Sequence, residues 1–137
     1  MARSKQALYL ALAAAFFAAP SLTAQSSEPM TNRPLYVFTP SGNDPRAVEQ
    51  ARAIRINQPE ADERQLVLTM EVTGHPTPED SEQAALRRRF KVAPKDFVVI
   101  LVGKDGGEKL RSTRPIPFDK LRDTIDSMPM RQQEAKH

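Results

Sequence analysis

The apolar residues of this chain fall into short continuous runs and helical stripes, separated by polar segments rich in turn-forming residues. Residues 97–102, read Phe-Val-Val-Ile-Leu-Val, form the most apolar run, which is typical of a strand covered on both faces. Residues 103–107, read Gly-Lys-Asp-Gly-Gly, favour a tight hairpin turn, in which we expect Gly106 to hold a positive φ angle. Residues 108–111 are polar enough for the returning strand to lie at a sheet edge. The pattern therefore predicts a β-hairpin, around which the rest of the chain is organised.

A strand, a helix and a second strand are predicted ahead of this hairpin. Residues 35–39 and 66–72 are the two apolar runs, and their close spacing favours a right-handed βαβ unit. Between them, Asp44 followed by Pro45 is typical of a helix start, with an acidic N-cap and a proline in the first turn. The helix is predicted to end near Asn57, ahead of the next proline. Its predicted apolar face consists of Ala47, Val48, Ala51 and Ile54.

Two further helices flank the hairpin in the sequence. Thr77 as an N-cap and Pro78 in the first turn predict the start of the second helix. Its predicted apolar face consists of Ala84, Ala85, Leu86 and Phe90. The apolar face of the third helix is predicted from Phe118, Leu121, Ile125 and Met128, which recur at helical spacing. We expect Pro129 to close the third helix and residues 130–137 to form a polar tail.

This order of elements predicts an α/β fold, βαβ-α-ββ-α. It resembles the minimal thioredoxin-like arrangement, which implies a four-stranded mixed sheet in the order 2-1-3-4 with helices covering both faces. Pro94, ahead of the central strand, resembles the cis-proline of thioredoxins, although it stands a few residues further upstream. A fold of this kind hosts many activities, so the arrangement alone assigns no function.

The start of the chain shows the three parts of a secretory signal peptide. Arg3 and Lys5 form a basic start, residues 7–19 an apolar run, and small residues follow a proline. We expect cleavage after Ala24, with Ser21 as the alternative, and hence a periplasmic or secreted protein. The apolar run is short for a membrane span, and a retained N-terminal anchor stays open as the other reading. The predicted segments are a signal peptide over residues 1–24, a flexible lead-in over 25–33, a domain over 34–129 and the tail over 130–137.

Charge and cysteine content narrow the classes of function. The predicted leader carries two cations and no acid, so the 20 lysines and arginines fall to 18 against 17 acids, a net charge of +1. That balance gives no support for nucleic-acid binding. The absence of cysteine excludes disulfides, thiol catalysis and a lipid-modified cysteine. The two histidines, His75 and His137, are too few for a typical zinc site, and we expect neither a metal nor a cofactor.

Four stretches of the sequence resemble one family. They are residues 33–38 (Arg-Pro-Leu-Tyr-Val-Phe), 43–46 (Asn-Asp-Pro-Arg), 101–107 (Leu-Val-Gly-Lys-Asp-Gly-Gly) and 128–131 (Met-Pro-Met-Arg). From residue 33 to about residue 134 the chain resembles domain-of-unknown-function family 4174, a family of exported bacterial domains related to domains of animal extracellular sushi-repeat proteins. The resemblance implies a thioredoxin-like fold, and it brings no assigned activity and no catalytic residues.

The start of the first helix is the main candidate site. In thioredoxins the reactive Cys-x-x-Cys motif caps this helix, and residues 42–45, read Gly-Asn-Asp-Pro, stand in about that place. Asp44 puts a carboxylate where the redox chemistry needs a thiolate, and its simplest role is a helix cap worth about 1 kcal/mol. The alternative is a binding loop that meets a ligand with side chains and backbone NH groups. The predicted contact residues are Thr39, Ser41, Asn43, Asp44, Arg46 and the facing Pro94.

Two other places are candidates for contact. Lys104 and Asp105 are turn residues at the tip of the hairpin, where an exposed tip would touch a partner. The strongest charge cluster consists of Arg87, Arg88, Arg89 and Lys91, with Lys95 close by in the sequence. Three consecutive helical residues spread over roughly 200°, so the first interpretation is a solvated helix end, and the alternative is a weak contact with anionic headgroups or glycans. His75 is interpreted as a turn residue, since no Gly-x-Ser-x-Gly motif surrounds a serine.

These observations favour an exported binding module whose partner is a protein or another envelope component. We expect no thiol oxidoreductase or thiol peroxidase activity, because those reactions pass through a protein thiolate. A thiol-independent enzyme is the first alternative, and a pocket over Asp44 and Arg46 would favour it. An envelope structural protein is the second, and an extended apolar surface patch would favour that reading.

Overall fold

A central sheet with flanking helices organises this protein, as seen in a computed structural model that describes residues 29–74 and 78–137. The strands are β1 (Arg33–Thr39), β2 (Leu66–Val72), β3 (Val98–Val102) and β4 (Glu108–Ser112). The helices are α1 (Pro45–Ile56), α2 (Gln58–Glu63), α3 (Glu82–Phe90), α4 (Phe118–Asp126) and α5 (Pro129–Glu134).

The sheet is mixed, with the strand order β2-β1-β3-β4. β1 runs parallel to β2, with Leu35 opposite Leu68. β3 runs antiparallel to β1, with Val37 opposite Val99, and β4 runs antiparallel to β3. The predicted α/β architecture and its strand order are confirmed.

Each face of the sheet carries its own apolar core, because neighbouring residues of a strand point to opposite faces. Leu35 and Val37 of β1 pack with residues of α1, α2 and α4 on one face. Tyr36 and Phe38 pack on the other face, against Phe90 and Leu86 of α3. All five residues of β3 are buried, so the most apolar run of the sequence lies between the two helical layers, as predicted.

The β-hairpin is present where the sequence predicts it. Gly106 has a φ of 79°, a conformation that costs a β-branched residue most. The NH group of Gly106 donates to the carbonyl of Gly103 at 2.9 Å, and the NH group of Gly103 donates to the carbonyl of Gly107 at 2.9 Å. These two bonds close the turn between β3 and β4.

Helix α1 begins as predicted, and its buried face is partly the predicted one, since Ala47 and Ile54 are buried as expected. Asp44 is its N-cap, Pro45 lies in its first turn, and Asn57 is its C-cap. Val48, expected in the core, is 54% exposed, whereas Gln50 is fully buried. The Gln50 amide donates to the carbonyl of Ile116 at 3.1 Å and accepts from its NH group at 2.6 Å. Gln50 can be buried because a distant backbone group satisfies its hydrogen bonds. The pattern of apolar residues does not predict the burial of such a polar side chain.

Helix α3 begins later than predicted. Its N-cap is Ser81, whose hydroxyl accepts from the NH group of Ala84 at 3.2 Å, and its first residue is Glu82. The expected cap, Thr77, and the turn residue His75 both lie outside the described residues. Ser81 suits the N-cap position because its side chain reaches an NH group of the first turn that has no partner within the helix.

The C-terminal part of the chain is only partly as predicted. Leu121 and Ile125 of α4 are fully buried, as expected. Residues 130–137, however, are not simply a polar tail, because the helix α5 covers most of them and Arg131 is buried. Arg33, placed by the sequence in a flexible lead-in, is the first residue of β1 and is 0% exposed. Ion pairs with residues far along the chain accompany the burial of both arginines, and such pairs leave no periodic signal in the sequence.

The predicted signal peptide, residues 1–24, lies outside the described residues. In the part of the chain that the structure describes, no helix is long and apolar enough to cross a membrane.

Candidate functional site

The predicted contact residues lie at two opposite ends of the sheet. Because β3 is antiparallel to β1, the hairpin turn of residues 103–107 lies beside Arg33, where β1 begins. The loop that leads into α1 lies at the other end, where β1 finishes at Thr39. We call these the hairpin end and the Thr39 end.

At the Thr39 end, Thr73 draws two chain segments together. Its NH group donates to the carbonyl of Thr39 at 2.8 Å. Its hydroxyl oxygen lies 3.1 Å from the Thr39 carbonyl and 2.5 Å from the Pro94 carbonyl, so its single proton can serve either. Thr39 and Pro94 are therefore neighbours, as the thioredoxin-like comparison implied. The sequence left open whether Pro94 is cis, and no peptide bond between described residues is cis.

The loop after β1 is held by short-range hydrogen bonds. Thr39, expected to meet a ligand, is fully buried and its hydroxyl donates to the carbonyl of Ser41 at 2.8 Å. Its role is to shape the loop. Ser41 and Asn43 are exposed, and the Ser41 hydroxyl accepts from the NH group of Asn43 at 3.2 Å. Of these three residues, Ser41 and Asn43 are the ones that a partner can reach.

Asp44 and Arg46 neutralise each other at the start of α1. One carboxylate oxygen of Asp44 accepts from the Arg46 NH group at 2.9 Å and from Nε at 3.0 Å, and the other accepts from Nη2 at 2.6 Å. The hydrogen bonds from Arg46 hold the pKa of Asp44 below its usual value. The Arg46 guanidinium also lies 4.6 Å from the centre of the Phe97 ring, a cation–π distance. Because the carboxylate fills the positive end of the helix dipole, this helix start does not favour an anion.

A basic cleft of about 540 Å³ opens beside Pro94. It is lined by Glu79, Ala84, Arg87, Arg88, Lys91, Val92, Ala93 and Pro94. Arg88 donates from Nη1 to the backbone carbonyl of Glu79 at 2.8 Å. Nε of Arg87 is buried and has no hydrogen-bond partner within residues 29–74 and 78–137. Within the same ranges, no ion pair involves Arg87, Arg88 or Lys91.

The predicted charge cluster is therefore divided. Arg87, Arg88 and Lys91 line the basic cleft. Arg89 turns towards the hairpin, where its Nη2 donates to the carbonyl of Gly106 at 2.5 Å and its guanidinium lies 4.9 Å from the centre of the Phe90 ring. Three of the four cations face one cavity, and the fourth holds the turn.

At the hairpin end, the buried Arg33 and the partly buried Lys104 share one carboxylate. Arg33 donates from Nη1 and Nη2 to the two carboxylate oxygens of Glu134, each at 3.2 Å. Lys104 donates from Nζ to Oε1 of Glu134 at 2.6 Å, and also to Oε1 of Gln65. Burial raises the pKa of Glu134, but the hydrogen bonds and charges of Lys104 and Arg33 outweigh it, so this pKa lies below its usual value.

The two turn residues expected at an exposed tip differ from each other. The Lys104 side chain is 11% exposed, so it belongs to the interior of the hairpin end. Asp105 is exposed and accepts from Nζ of Lys109 at 2.7 Å and from the NH group of Gly107 at 2.9 Å. The hydrogen bond from Lys109 lowers the pKa of Asp105. Asp105 is thus an ordinary turn residue, whereas Lys104 takes part in a long-range ion-pair network.

Between the hairpin and the last two helices lies a cavity of about 270 Å³, which we call the hairpin cavity. It is lined by Arg33, Gly103, Lys104, Asp105, Lys109, Thr124, Ser127, Met128, Pro129 and Met130. Sequence reasoning missed this cavity because its walls come from three separate parts of the chain. The Met-Pro-Met motif of residues 128–130 could have indicated an apolar binding surface, but in the sequence it supports only the resemblance to a family.

The described residues contain no group of three or more histidine, aspartate or glutamate side chains that could hold a metal ion. With no cysteine in the chain, both ends of the sheet offer paired charges, amides and hydroxyl groups. Such groups suit the recognition of a ligand or a partner surface.

These features define an α/β domain with a four-stranded mixed sheet and two polar ends. A family model described as Domain of unknown function (DUF4174) matches residues 26–134, and the chain belongs to that family. No curated protein and no solved structure matches the chain.

Proposed function

We propose that this chain is an exported, thioredoxin-like binding module without redox chemistry, acting in the periplasm or outside the cell. Its binding surface is the Thr39 end of the sheet, formed by Ser41, Asn43, Asp44, Arg46 and Pro94. The partner is a protein or another envelope component that fits an exposed, polar and electrically neutral loop.

The observation that carries this proposal is the pairing of Asp44 with Arg46. A carboxylate with a lowered pKa is a weak base at neutral pH, and three hydrogen bonds to one arginine leave it little freedom to move a proton. The neighbouring Ser41 and Asn43 side chains are exposed. The site therefore suits recognition better than catalysis.

The two alternatives receive less support. A thiol-independent enzyme was expected to show a pocket over Asp44 and Arg46, and neither of them lines the basic cleft or the hairpin cavity. A structural role was expected to show an extended apolar surface. Among the described residues, the exposed large hydrophobic residues are two on α1, Val48 and Ile56, and two elsewhere, Met30 ahead of β1 and Val67 on β2.

A capture experiment tests the proposed surface. The purified protein is used to pull partners from a periplasmic extract and is compared with a triple variant, Ser41→Ala, Asn43→Ala and Arg46→Ala. Asp44 stays in place so that the cap of α1 remains. We expect the triple variant to melt close to the parent protein and to lose the captured partner.

A matched control changes the exposed side of the same helix through Glu49→Ala, Arg52→Ala and Arg55→Ala. This control variant should keep the partner. Equal capture by the Ser41, Asn43 and Arg46 variant would show that the binding surface lies elsewhere.

Export is tested separately by N-terminal sequencing. We expect the protein that accumulates outside the cytoplasm to begin after Ala24 or Ser21. Changing Arg3 and Lys5 to acids should leave unprocessed precursor in the cytoplasm, because the basic start orients the leader. A mature protein that still begins at Met1 contradicts the signal-peptide interpretation.

A second candidate function is a contact of the basic cleft with anionic headgroups or glycans. It is supported by Arg87, Arg88 and Lys91, which line one cavity and have no carboxylate partner among the described residues. Such contacts weaken as salt concentration rises.

The test is co-sedimentation with phosphatidylglycerol vesicles at low and high salt, with phosphatidylcholine vesicles as the neutral comparison. Changing Arg87, Arg88 and Lys91 to Gln should abolish binding to the anionic vesicles. Changing the exposed Arg52, Arg55 and Arg114 to Gln removes the same charge elsewhere and should preserve it. An equal loss of vesicle binding in both variants would show that the contact depends on net charge and not on the basic cleft.

A further inference from the structure

We propose that the hairpin cavity is a binding site for a small organic monocarboxylate with an apolar body. This inference concerns the opposite end of the sheet from the surface proposed above, and it does not depend on that surface.

The first observation is an excess of positive charge in a buried place. Arg33 is 0% exposed and Lys104 is 11% exposed, and Glu134 is the carboxylate that they share. Arg131 also lies 3.8 Å from Glu134, but it has nearer partners in Glu63 at 2.9 Å and Asp126 at 3.6 Å. One positive charge at the hairpin end is thus left without a matching acid. Two cations that share one carboxylate are only partly neutralised, so an anion that enters here gains a favourable interaction.

The second observation is that hydrogen-bond donors remain unused. An ammonium group has three N–H donors. Lys104 uses two of them, on Glu134 and Gln65, and Lys109 uses one, on Asp105. Lys104 and Lys109 therefore keep N–H donors for a ligand that accepts, while the Asp105 carboxylate of the same wall already accepts from Lys109 and from the Gly107 NH group.

The hydroxyl groups of the cavity add no donors. Thr124 donates to the carbonyl of Lys120 at 2.7 Å, and Ser127 donates to the carbonyl of Thr124 at 2.7 Å. Recognition of an anion consequently rests on the two lysines, Lys104 and Lys109.

The third observation is the size and polarity of the remaining wall. Met128, Pro129 and Met130 supply apolar surface to the same cavity. Methionine adapts its shape to irregular ligands, because its side chain is unbranched and polarizable. A cavity of about 270 Å³ is close to the lower limit for ligand pockets, roughly 300 Å³. A small molecule with a carboxylate at one end and a short hydrocarbon body fits these walls.

The methionines also provide a local measurement. The protein is labelled with ¹³C at the methionine methyl groups and titrated with hexanoate, with hexan-1-ol and with hexylamine. We expect hexanoate to shift the Met128 and Met130 signals at roughly millimolar concentration, as suits a ligand of this size. Met70, which does not line the cavity, should stay unchanged, and the alcohol and the amine should shift the two signals far less.

Two variants should change the affinity in opposite directions. Lys104→Met keeps the aliphatic stem, removes the charge and should weaken hexanoate binding about tenfold, the effect of one lost charge-assisted hydrogen bond. Glu134→Gln removes the competing carboxylate and should tighten binding. If the two substitutions merely disturbed the fold, both would weaken hexanoate binding. Opposite changes in affinity therefore distinguish ligand recognition from misfolding.

Lys95→Met, at the other end of the sheet, is the matched control and should leave the affinity unchanged. If Lys104→Met does not fold, Lys109→Met replaces it, because Lys109 stands on the exposed side of β4. Equal shifts with hexanoate and hexan-1-ol would overturn the proposal by showing an apolar cavity without charge recognition. The absence of any shift at Met128 and Met130 would overturn it as well.

Discussion

The two ends of the sheet are built in contrasting ways. At the Thr39 end, the bonds that shape the loop join residues two positions apart, as between Asp44 and Arg46. At the hairpin end, Arg33 binds Glu134 across 101 positions of the chain, and Lys104 binds the same carboxylate across 30. The loop at the Thr39 end is exposed and its Asp44–Arg46 pair is neutral, whereas at the hairpin end two cations share one carboxylate and are largely buried. Local bonds can form before the fold is complete, but the charges of the hairpin end meet only when the last helix docks.

The core between the ends sets the scale of stability. Leu121 is 0% exposed, and Leu121→Ala should lower the free energy of unfolding by roughly 2–5 kcal/mol, through lost burial and a residual cavity. Lys120→Ala on the exposed side of the same helix is the control, and its effect should stay within about 0.5 kcal/mol. Urea denaturation of both variants measures the difference. Similar small effects at both positions would mean that α4 is not docked on the sheet.

The hairpin end should be the more sensitive of the two ends. Glu134→Gln leaves Arg33 buried without a carboxylate, and we expect a loss of about 3 kcal/mol, near the lower limit for breaking a buried ion pair. Glu49→Gln removes an exposed acid on α1 and should have almost no effect. Denaturation at neutral pH tests this, and a loss for Glu134→Gln no greater than that for Glu49→Gln would contradict the buried network.

The hairpin turn itself should tolerate no β-branched residue. Gly106→Val places such a residue at a φ of 79°, and the strain should cost more than about 1 kcal/mol. Gly106→Asn is the comparison, because asparagine accepts this conformation more readily. A melting curve identical to that of the parent protein would show that the turn has another geometry in solution.

The Thr39 end should respond least to substitution. Asp44→Ala removes the N-cap of α1 and should cost about 1 kcal/mol. Asp44→Asn retains a capping oxygen but loses the ion pair with Arg46, and it should cost less. Thermal melts of the two variants measure the order. A greater loss for Asp44→Asn would show that the charge, and not the cap, stabilises this helix start.

Acid should separate the two ends further. The hydrogen bonds and charges of Lys104 and Arg33 hold the folded pKa of Glu134 below its usual value. The stability that the ionised carboxylate contributes is therefore fully present above the pKa of the unfolded chain. This contribution is lost as the pH falls through the lower folded pKa. The parent protein should therefore lose more stability between neutral and strongly acidic pH than Glu134→Gln does. Parallel pH titrations of unfolding by circular dichroism test the difference, and identical pH profiles would contradict it.

Much of the fold follows from the sequence alone. The apolar run of β3, the positive φ of Gly106 and the cap at Asp44 are each set by residues within a few positions of one another, and the structure agrees with all three. The strand order was implied by the resemblance of this order of elements to the thioredoxin-like arrangement, and the sheet has that order. The sequence also predicts the Thr39 end as a candidate surface, because Asp44 and Pro45 indicate a helix start soon after a strand.

Only the tertiary structure placed Gln50, Arg33 and Arg131 in the interior. Each is polar, and each is buried because a distant part of the chain supplies its hydrogen bonds or its charge: Ile116 for Gln50, Glu134 for Arg33 and Glu63 for Arg131. Hydrophobic periodicity identifies residues that gain free energy when their apolar surface leaves water. Each residue makes that contribution independently of any particular partner. An ion pair depends on two residues at once, and only the folded chain determines which two meet.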